Sequence, residues 1–132
     1  MAEPEATAQG PRVVVVDDDL LVLAVVRRVL SRAGYTAAVF EDVHRALSDV
    51  KATRPFAVVA DLNMPAMSGA DMLALVAQIS PTSWRLLYTG DVSANELADA
   101  LTPGLTHAIV SKTEGARLLP QTLDQLRQTT PP

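Results

Sequence analysis

Four short stretches of this chain end in side chains that could do chemistry together. Asp17, Asp18 and Asp19 follow Val13-Val14-Val15-Val16. Asp61 follows Ala57-Val58-Val59-Ala60. Thr89 closes Arg85-Leu86-Leu87-Tyr88, and Lys112 follows Ala108-Ile109-Val110-Ser111. If the fold gathers these ends, it assembles carboxylates, a hydroxyl and an ammonium at one rim. Two ionised carboxylates about 4 Å apart repel by roughly 4 kcal/mol at an effective dielectric of about 20. Three in one crevice therefore call for a cation. Hard oxygen donors in a small open site suit Mg²⁺ with several retained waters. Lys112 and Thr89 suit an anionic oxygen such as a phosphoryl oxygen.

Each residue also has an ordinary role. Asp18 or Asp19 can cap a following helix, Asp61 can be a plain strand-end residue, Thr89 a good strand former, and Lys112 a solvated surface charge. Asp17 and Asp18 would point to opposite faces of an ideal strand, so they converge only if the strand stops before them. The chain has nine arginines but only two lysines, which hints that a compact ammonium is wanted at 112. The joint placement is the informative feature.

The elements that must position these groups can be read from periodicity. Val13 to Val16 form a continuous β-branched run, too short for a helix and not alternating. It reads as a strand buried on both faces, hence part of a parallel sheet covered by helices. Leu20, Leu23, Val26 and Leu30 then fall at helical spacing, with Gly34 as the stop. The alternation repeats: a strand over residues 37–40, a helix over 43–51 capped by Asp42, a strand over 57–60, and a helix to about Ile79 capped by Ser68, with Asp71 in its first turn. A strand over residues 85–89 follows. Ser93-Ala94-Asn95-Glu96 matches a capping box, predicting a helix that stops before Pro103 and Gly104. The fifth strand covers residues 108–111. In the last helix Pro120 must lie in the first turn, so that helix starts no earlier than about Ala116. Five successive βα units imply right-handed crossovers and a doubly wound, five-stranded α/β sheet, with the ligand outside the carboxyl ends of the strands.

Length and composition narrow the function. The 132 residues suit one domain, read here as residues 12–128 between tails at 1–11 and 129–132. A hydrophobic content of 48% excludes a disordered chain, and zero cysteines exclude a disulfide framework or thiol chemistry. A net charge of −4 argues against a nucleic-acid binder. No apolar stretch reaches membrane-spanning length and no leader pattern is evident, so a cytoplasmic location is expected. His44 and His107, well separated, read as surface or packing residues. Met64, Met67 and Met72 read as packing residues, and Trp84, just before a strand, as a rim aromatic.

These residues together resemble the receiver domain of two-component response regulators. The resemblance covers about residues 12–128. It rests on Val-Val-Val-Val-Asp-Asp-Asp at 13–19, Asp-Leu-Asn-Met-Pro-Ala-Met-Ser-Gly at 61–69, Tyr-Thr-Gly at 88–90 and Ser-Lys at 111–112. It implies a flavodoxin-like (βα)5 fold with strand order 2-1-3-4-5. Asp61 would be the phosphoacceptor, charged by a phosphohistidine on a histidine kinase or phosphotransfer protein. Asp18 and Asp61 would ligate Mg²⁺, Asp17 would act mainly through water, and Asn63 would add its backbone carbonyl. Lys112, Thr89 and the Gly90 N–H would bind phosphoryl oxygens, while Pro65 and Gly69 would shape the adjoining loop. Asn63 and Asp91 would flank the path of the hydrolytic water, which implies a short-lived phosphoryl group. The domain would be no enzyme beyond its own phosphorylation and dephosphorylation. It would signal by protein contact through the face made by the helix predicted at 93–101, the fifth strand and the last helix.

Two positions depart from the family pattern. Thr113 replaces the proline that usually follows the lysine, often through a cis bond. A non-proline cis bond costs ~3 kcal/mol, so a trans bond and a reshaped loop are expected. Ile109 stands where the usual switch aromatic would be, so the response should centre on Thr89 and the loop after it. Two other readings compete. One is a constitutive interaction module that makes little use of its phosphate site. The other is a haloacid-dehalogenase-type phosphatase, suggested by Asp17-x-Asp19. Against the phosphatase stand Leu20 and Leu21, where that family places Gly-Thr, and the shortness of the chain.

Overall fold

The computed structural model describes residues 10–90 and 104–132. The elements are β1 (Arg12–Val16), α1 (Leu20–Arg32), β2 (Thr36–Phe40), α2 (Val43–Thr53), β3 (Ala57–Ala60), α3 (Gly69–Ile79), β4 (Trp84–Thr89), β5 (Ala108–Ser111), a 3-10 turn (Lys112–Glu114) and the last helix α4 (Leu118–Arg127). The predicted capping box at Ser93 and its helix lie outside the described residues. All strand pairings are parallel, in the order β2-β1-β3-β4-β5. The doubly wound, five-stranded sheet is thus the one expected.

The valine run explains the layering. Val13 and Val15 pack with Leu23, Val26 and Leu30 of α1 and Leu119 and Leu123 of α4. Val14 and Val16 pack with Val43, Ala46 and Val50 of α2 and Met72, Leu73 and Val76 of α3. Successive strand residues point to opposite faces, so a strand covered on both sides must be apolar at every position. Each buried valine contributes about 1.5–3 kcal/mol. Arg12 clamps α2 to the start of β1 through a bidentate pair with Asp49, at 2.8 and 3.2 Å.

The boundaries of the second strand, the second helix and the fourth strand differ from the sequence reading; the second strand begins at Thr36. The second helix runs on to Thr53 and ends on Arg54, which adopts a left-handed conformation with φ of 46°. No glycine marks that stop, so the sequence suggested an earlier one. The fourth strand begins at Trp84, whose N–H donates to the Phe56 carbonyl at 2.9 Å. Trp84 is therefore a buried core residue, edge-on to His107, and not a rim aromatic. The last helix starts at Leu118, no earlier than the expected Ala116, after the 3-10 turn and Gly115, whose φ is 93°. Pro120 does fall in its first turn.

Within β4 lies a residue with no expected role. Arg85 is 4% exposed. Its guanidinium donates to the carbonyls of Leu105, Gly104, Pro81 and Ser83 at 2.8–3.2 Å. Burial alone pulls its pKa down. A buried charge is tolerated only when its donors are matched, and four carbonyls do so here.

Candidate functional site

The site is built by strand ends, not by a loop motif. Strand β1 stops at Val16, and this lets Asp17 and Asp18 converge. Asp17 N–H donates to the Phe40 carbonyl and Asp61 N–H to the Val16 carbonyl, both at 3.1 Å. Backbone bonds to neighbouring strands therefore hold both acids. Asp19 is the helix cap: its carboxylate accepts from the N–H groups of Leu21 and Val22 at 2.9 and 3.4 Å. The side chains of Asp17, Asp18 and Asp61 each offer an oxygen within 4.8 Å of the others.

Lys112 joins from the far end of β5. Its ammonium contacts Asp17 Oδ2 at 2.7 Å and Asp61 Oδ2 at 3.2 Å. Asp17 Oδ1 accepts from the Asp19 N–H at 2.9 Å, and Asp61 Oδ1 from the Asn63 N–H at 3.4 Å. Asp17 is only 2% exposed and Asp61 8%. Burial raises the Asp17 pKa, against the opposing hydrogen bond and charge of Lys112. Burial also works against the Lys112 ammonium. Its hydrogen bond to Asp17, with the charges of Asp17 and Asp61, outweighs that and lifts its pKa. The ammonium thus stays charged while lying 5.8 Å over the Tyr88 ring.

Thr89 sits at the end of β4, buried at 2% exposure and in register with Ser111, directly before Lys112. Gly90 follows it, half-buried, whereas Asn63 is exposed. Gly69 opens α3 against the backbone of the acid loop, its N–H donating to the Leu62 carbonyl at 2.8 Å. The Lys112–Thr113 bond is trans, there being no cis peptide among the described residues. Thr113 uses the N–H that a proline would lack, donating it to Ser111 Oγ at 3.2 Å. Ile109 packs against the α2–α3 side of the sheet. Asp91 lies outside the described residues.

Asp17, Asp18, Asp61 and Lys112 lie in one cluster, with Thr89 at the end of β4, Gly90 after it and Asn63 two residues beyond Asp61. Tyr88, the platform under Lys112, was missed. Its place beside Thr89 in a buried strand marks it as facing the opposite side, toward α1 and α4. His107 is a packing residue as expected, its Nδ1 accepting from the Arg85 N–H at 3.0 Å.

Comparison with known proteins agrees with this geometry. A family model described as the response regulator receiver domain matches residues 13–124. Response regulator MprA of Mycolicibacterium vanbaalenii is 32% identical over 120 residues, covering 91% of this chain and 52% of its own. Transcriptional regulatory protein PrrA of Mycobacterium leprae is 43% identical over 64 residues, covering 48% of this chain and 28% of its own. The chain therefore spans about half or less of these curated relatives. Among solved structures, the signal receiver domain of an HD domain-containing protein from Pseudomonas fluorescens Pf-5 superposes with a TM-score of 0.82 at 27% identity, covering 91% of this chain and 88% of that one. A CheY-like receiver domain protein from Methanospirillum hungatei JF-1 shares the fold, with a TM-score of 0.80 at 21% identity and coverage of 91% and 98%. The valine strand, the three-acid rim and the lysine that bridges it are thus set in a chain that belongs to the response regulator receiver domain family.

Proposed function

We propose that this receiver domain works in the cytoplasm by accepting a phosphoryl group on Asp61 from a phosphohistidine of a histidine kinase or phosphotransfer protein. The observation that carries the reading is Lys112, whose ammonium bridges Asp17 and Asp61 at the mouth of the sheet. In the transfer, the bond from phosphorus to histidine nitrogen breaks as the bond to an Asp61 carboxylate oxygen forms. The protein does little other covalent work, so its part is positioning and charge compensation. Lys112 then follows the negative charge from the Asp61 carboxylate to a phosphoryl oxygen, remaining tethered to Asp17. Thr89 and the Gly90 N–H supply further donors.

The donor set fits Mg²⁺: three carboxylates offering oxygens within 4.8 Å face a single ammonium, which leaves excess negative charge. Asp17, Asp18, Asp61 and the Asn63 carbonyl would hold the ion, which would neutralise charge on the phosphoryl oxygens when bound. Beside the cluster, Leu21 and Val25 of α1 are 78% and 54% exposed. With Tyr88, Lys112 and Ala116 they line a depression of about 340 Å³. Large exposed apolar side chains next to a reactive group mark a contact surface, and we assign the phosphodonor to it. A downstream partner would read the face of β5 and α4, because Lys112 follows directly on Ser111, the last residue of β5. The helix expected at 93–101 lies outside the described residues.

Intact mass after exposure to acetyl phosphate with Mg²⁺ tests the assignment. One added phosphoryl group is expected, and Asp61→Asn should abolish it. Full labelling of Asp61→Asn would overturn it.

A further inference from the structure

The outer strand β2 is bonded on one side only, since the sheet order places β1 beside it and no described strand beyond. Thr36 N–H donates to the Pro11 carbonyl, and the Phe40 carbonyl accepts from Asp17 N–H. A residue's N–H and C=O share one side of a strand, and the sides alternate. Thr36, Ala38 and Phe40 therefore face β1. Ala37 and Val39 direct their amides and carbonyls outward, and Glu41 continues the series.

Exposed edges are normally blunted by charge, proline or a bulge. Here β2 reads Thr-Ala-Ala-Val-Phe, with neither charge nor proline. Beside it runs a groove of about 880 Å³ between α1, β2 and the start of α2. Leu23, Ala24, Val39 and Phe40 make its floor. Arg27 and Arg28 of α1 and Arg45 of α2 stand on its walls. All three arginines are exposed, and none has a hydrogen bond or ion pair with a described residue. Two acids share the lining, Glu41 and Asp42. The Asp42 carboxylate is already engaged, capping α2 by accepting from His44 N–H at 2.8 Å. A chain of net charge −4 thus carries three guanidiniums with no partner among the described residues along an apolar edge that no described strand covers.

We propose that this groove docks an extended acidic segment of a partner protein, which adds a strand to β2 and sets its carboxylates on Arg27, Arg28 and Arg45. Backbone bonds from Ala37 and Val39 supply affinity, and alternate side chains supply specificity. One set meets the apolar floor and the other the arginines, whose planar guanidiniums suit bidentate carboxylate contact. The edge is about 16 Å long at about 3.3 Å per residue, enough for five or six partner residues. A small anion would use the arginines alone and leave the strand edge unpaired.

The probe is a blocked hexapeptide of alternating Glu and Val, titrated into the ¹⁵N-labelled protein. Micromolar binding is expected, with shifts and slowed hydrogen exchange at the Ala37, Val39 and Glu41 amides. Binding should weaken with salt, and the matching Lys-Val peptide should not bind. Arg27→Glu combined with Arg45→Glu should weaken binding at least about tenfold, in line with the loss of charge-assisted bonds. Ala37→Pro removes an outward N–H at an edge position that tolerates proline. It should weaken binding while leaving the thermal midpoint near that of the parent. Absence of binding at millimolar peptide would overturn the proposal, as would unaltered affinity in either variant. So would shifts confined to arginine side chains and reproduced by inorganic phosphate, which would mark an anion site.

Discussion

Replacing Gly69 by alanine is a stringent test of how the acid loop is held. Gly69 is the first residue of α3 and has an ordinary helical backbone, so its φ gives no reason for glycine. In an open position the change would raise helix propensity by up to about 1 kcal/mol. Space forbids it here. A Cβ would fall 2.2 Å from the Asp61 carbonyl oxygen, 2.8 Å from its carbon and 3.0 Å from the Leu62 Cα. The first distance is about 1 Å short of the ~3.3 Å at which carbon and carbonyl oxygen meet. All three neighbours are backbone, so no side chain can swing aside. Either α3 backs away, loosening Met72 and Leu73 in the core, or the Asp61 peptide tilts and carries its carboxylate off Lys112. Overpacking of this kind costs about 1–3 kcal/mol. Urea unfolding should therefore show a lowered midpoint at unchanged slope, and acetyl phosphate should label Gly69→Ala more slowly. A midpoint equal to or above that of the parent, with labelling intact, would show that the loop yields freely and that the close approach does not position Asp61.

The metal reading predicts that Mg²⁺ raises the thermal midpoint by mass action. Asp18→Ala should remove that response while raising the metal-free midpoint through relieved repulsion; a persisting response would place the ion elsewhere. Lys112→Met should abolish labelling, and it should destabilise the fold by leaving the buried Asp17 carboxylate without its ammonium. A midpoint equal to the parent's would contradict the bridging role. Both tyrosines titrate late. Burial, then the hydrogen bond to Asp124, pushes Tyr35 up to about 12, and burial raises Tyr88 from its ordinary 10.0. With the folded pKa above the unfolded one, the stability Tyr35 contributes is complete below pH 10 and is lost as pH rises through about 12. Ultraviolet titration should thus show little tyrosinate at pH 10 in the native protein, and half-ionisation there would refute it. Arg85→Leu should destabilise by at least about 1–3 kcal/mol, since it strands the buried Ser83 carbonyl and removes the bonds to Pro81, Gly104 and Leu105. Denaturant unfolding measures that loss.

Much of the site was legible because strand ends punctuate the sequence. A valine run stops, an acid follows, and the parallel sheet makes every such stop a neighbour of the others. The residues that escaped notice are ones whose role depends on contacts distant in sequence. Arg85, a charge within a strand, gives no sign that carbonyls at 81, 83, 104 and 105 surround it. Tyr88 becomes a platform only once Lys112 folds over it. That Lys112 rests on Asp17 as well as Asp61 follows from the depth of the crevice, which spacing does not encode. The end of α2 was misplaced for a local reason: Arg54 takes the left-handed turn usually left to glycine.

The bridge from Lys112 to Asp61 joins residues 51 positions apart, and its other arm reaches back to Asp17 near the start of the domain. A ribosome that has released the first four strands has not yet delivered the ammonium. Until β5 docks, the carboxylates repel one another and Lys112 does not yet face Asp61. On the proposed reading, competence to accept a phosphoryl group would arrive with the last strand, and a truncated or half-folded chain would stay silent.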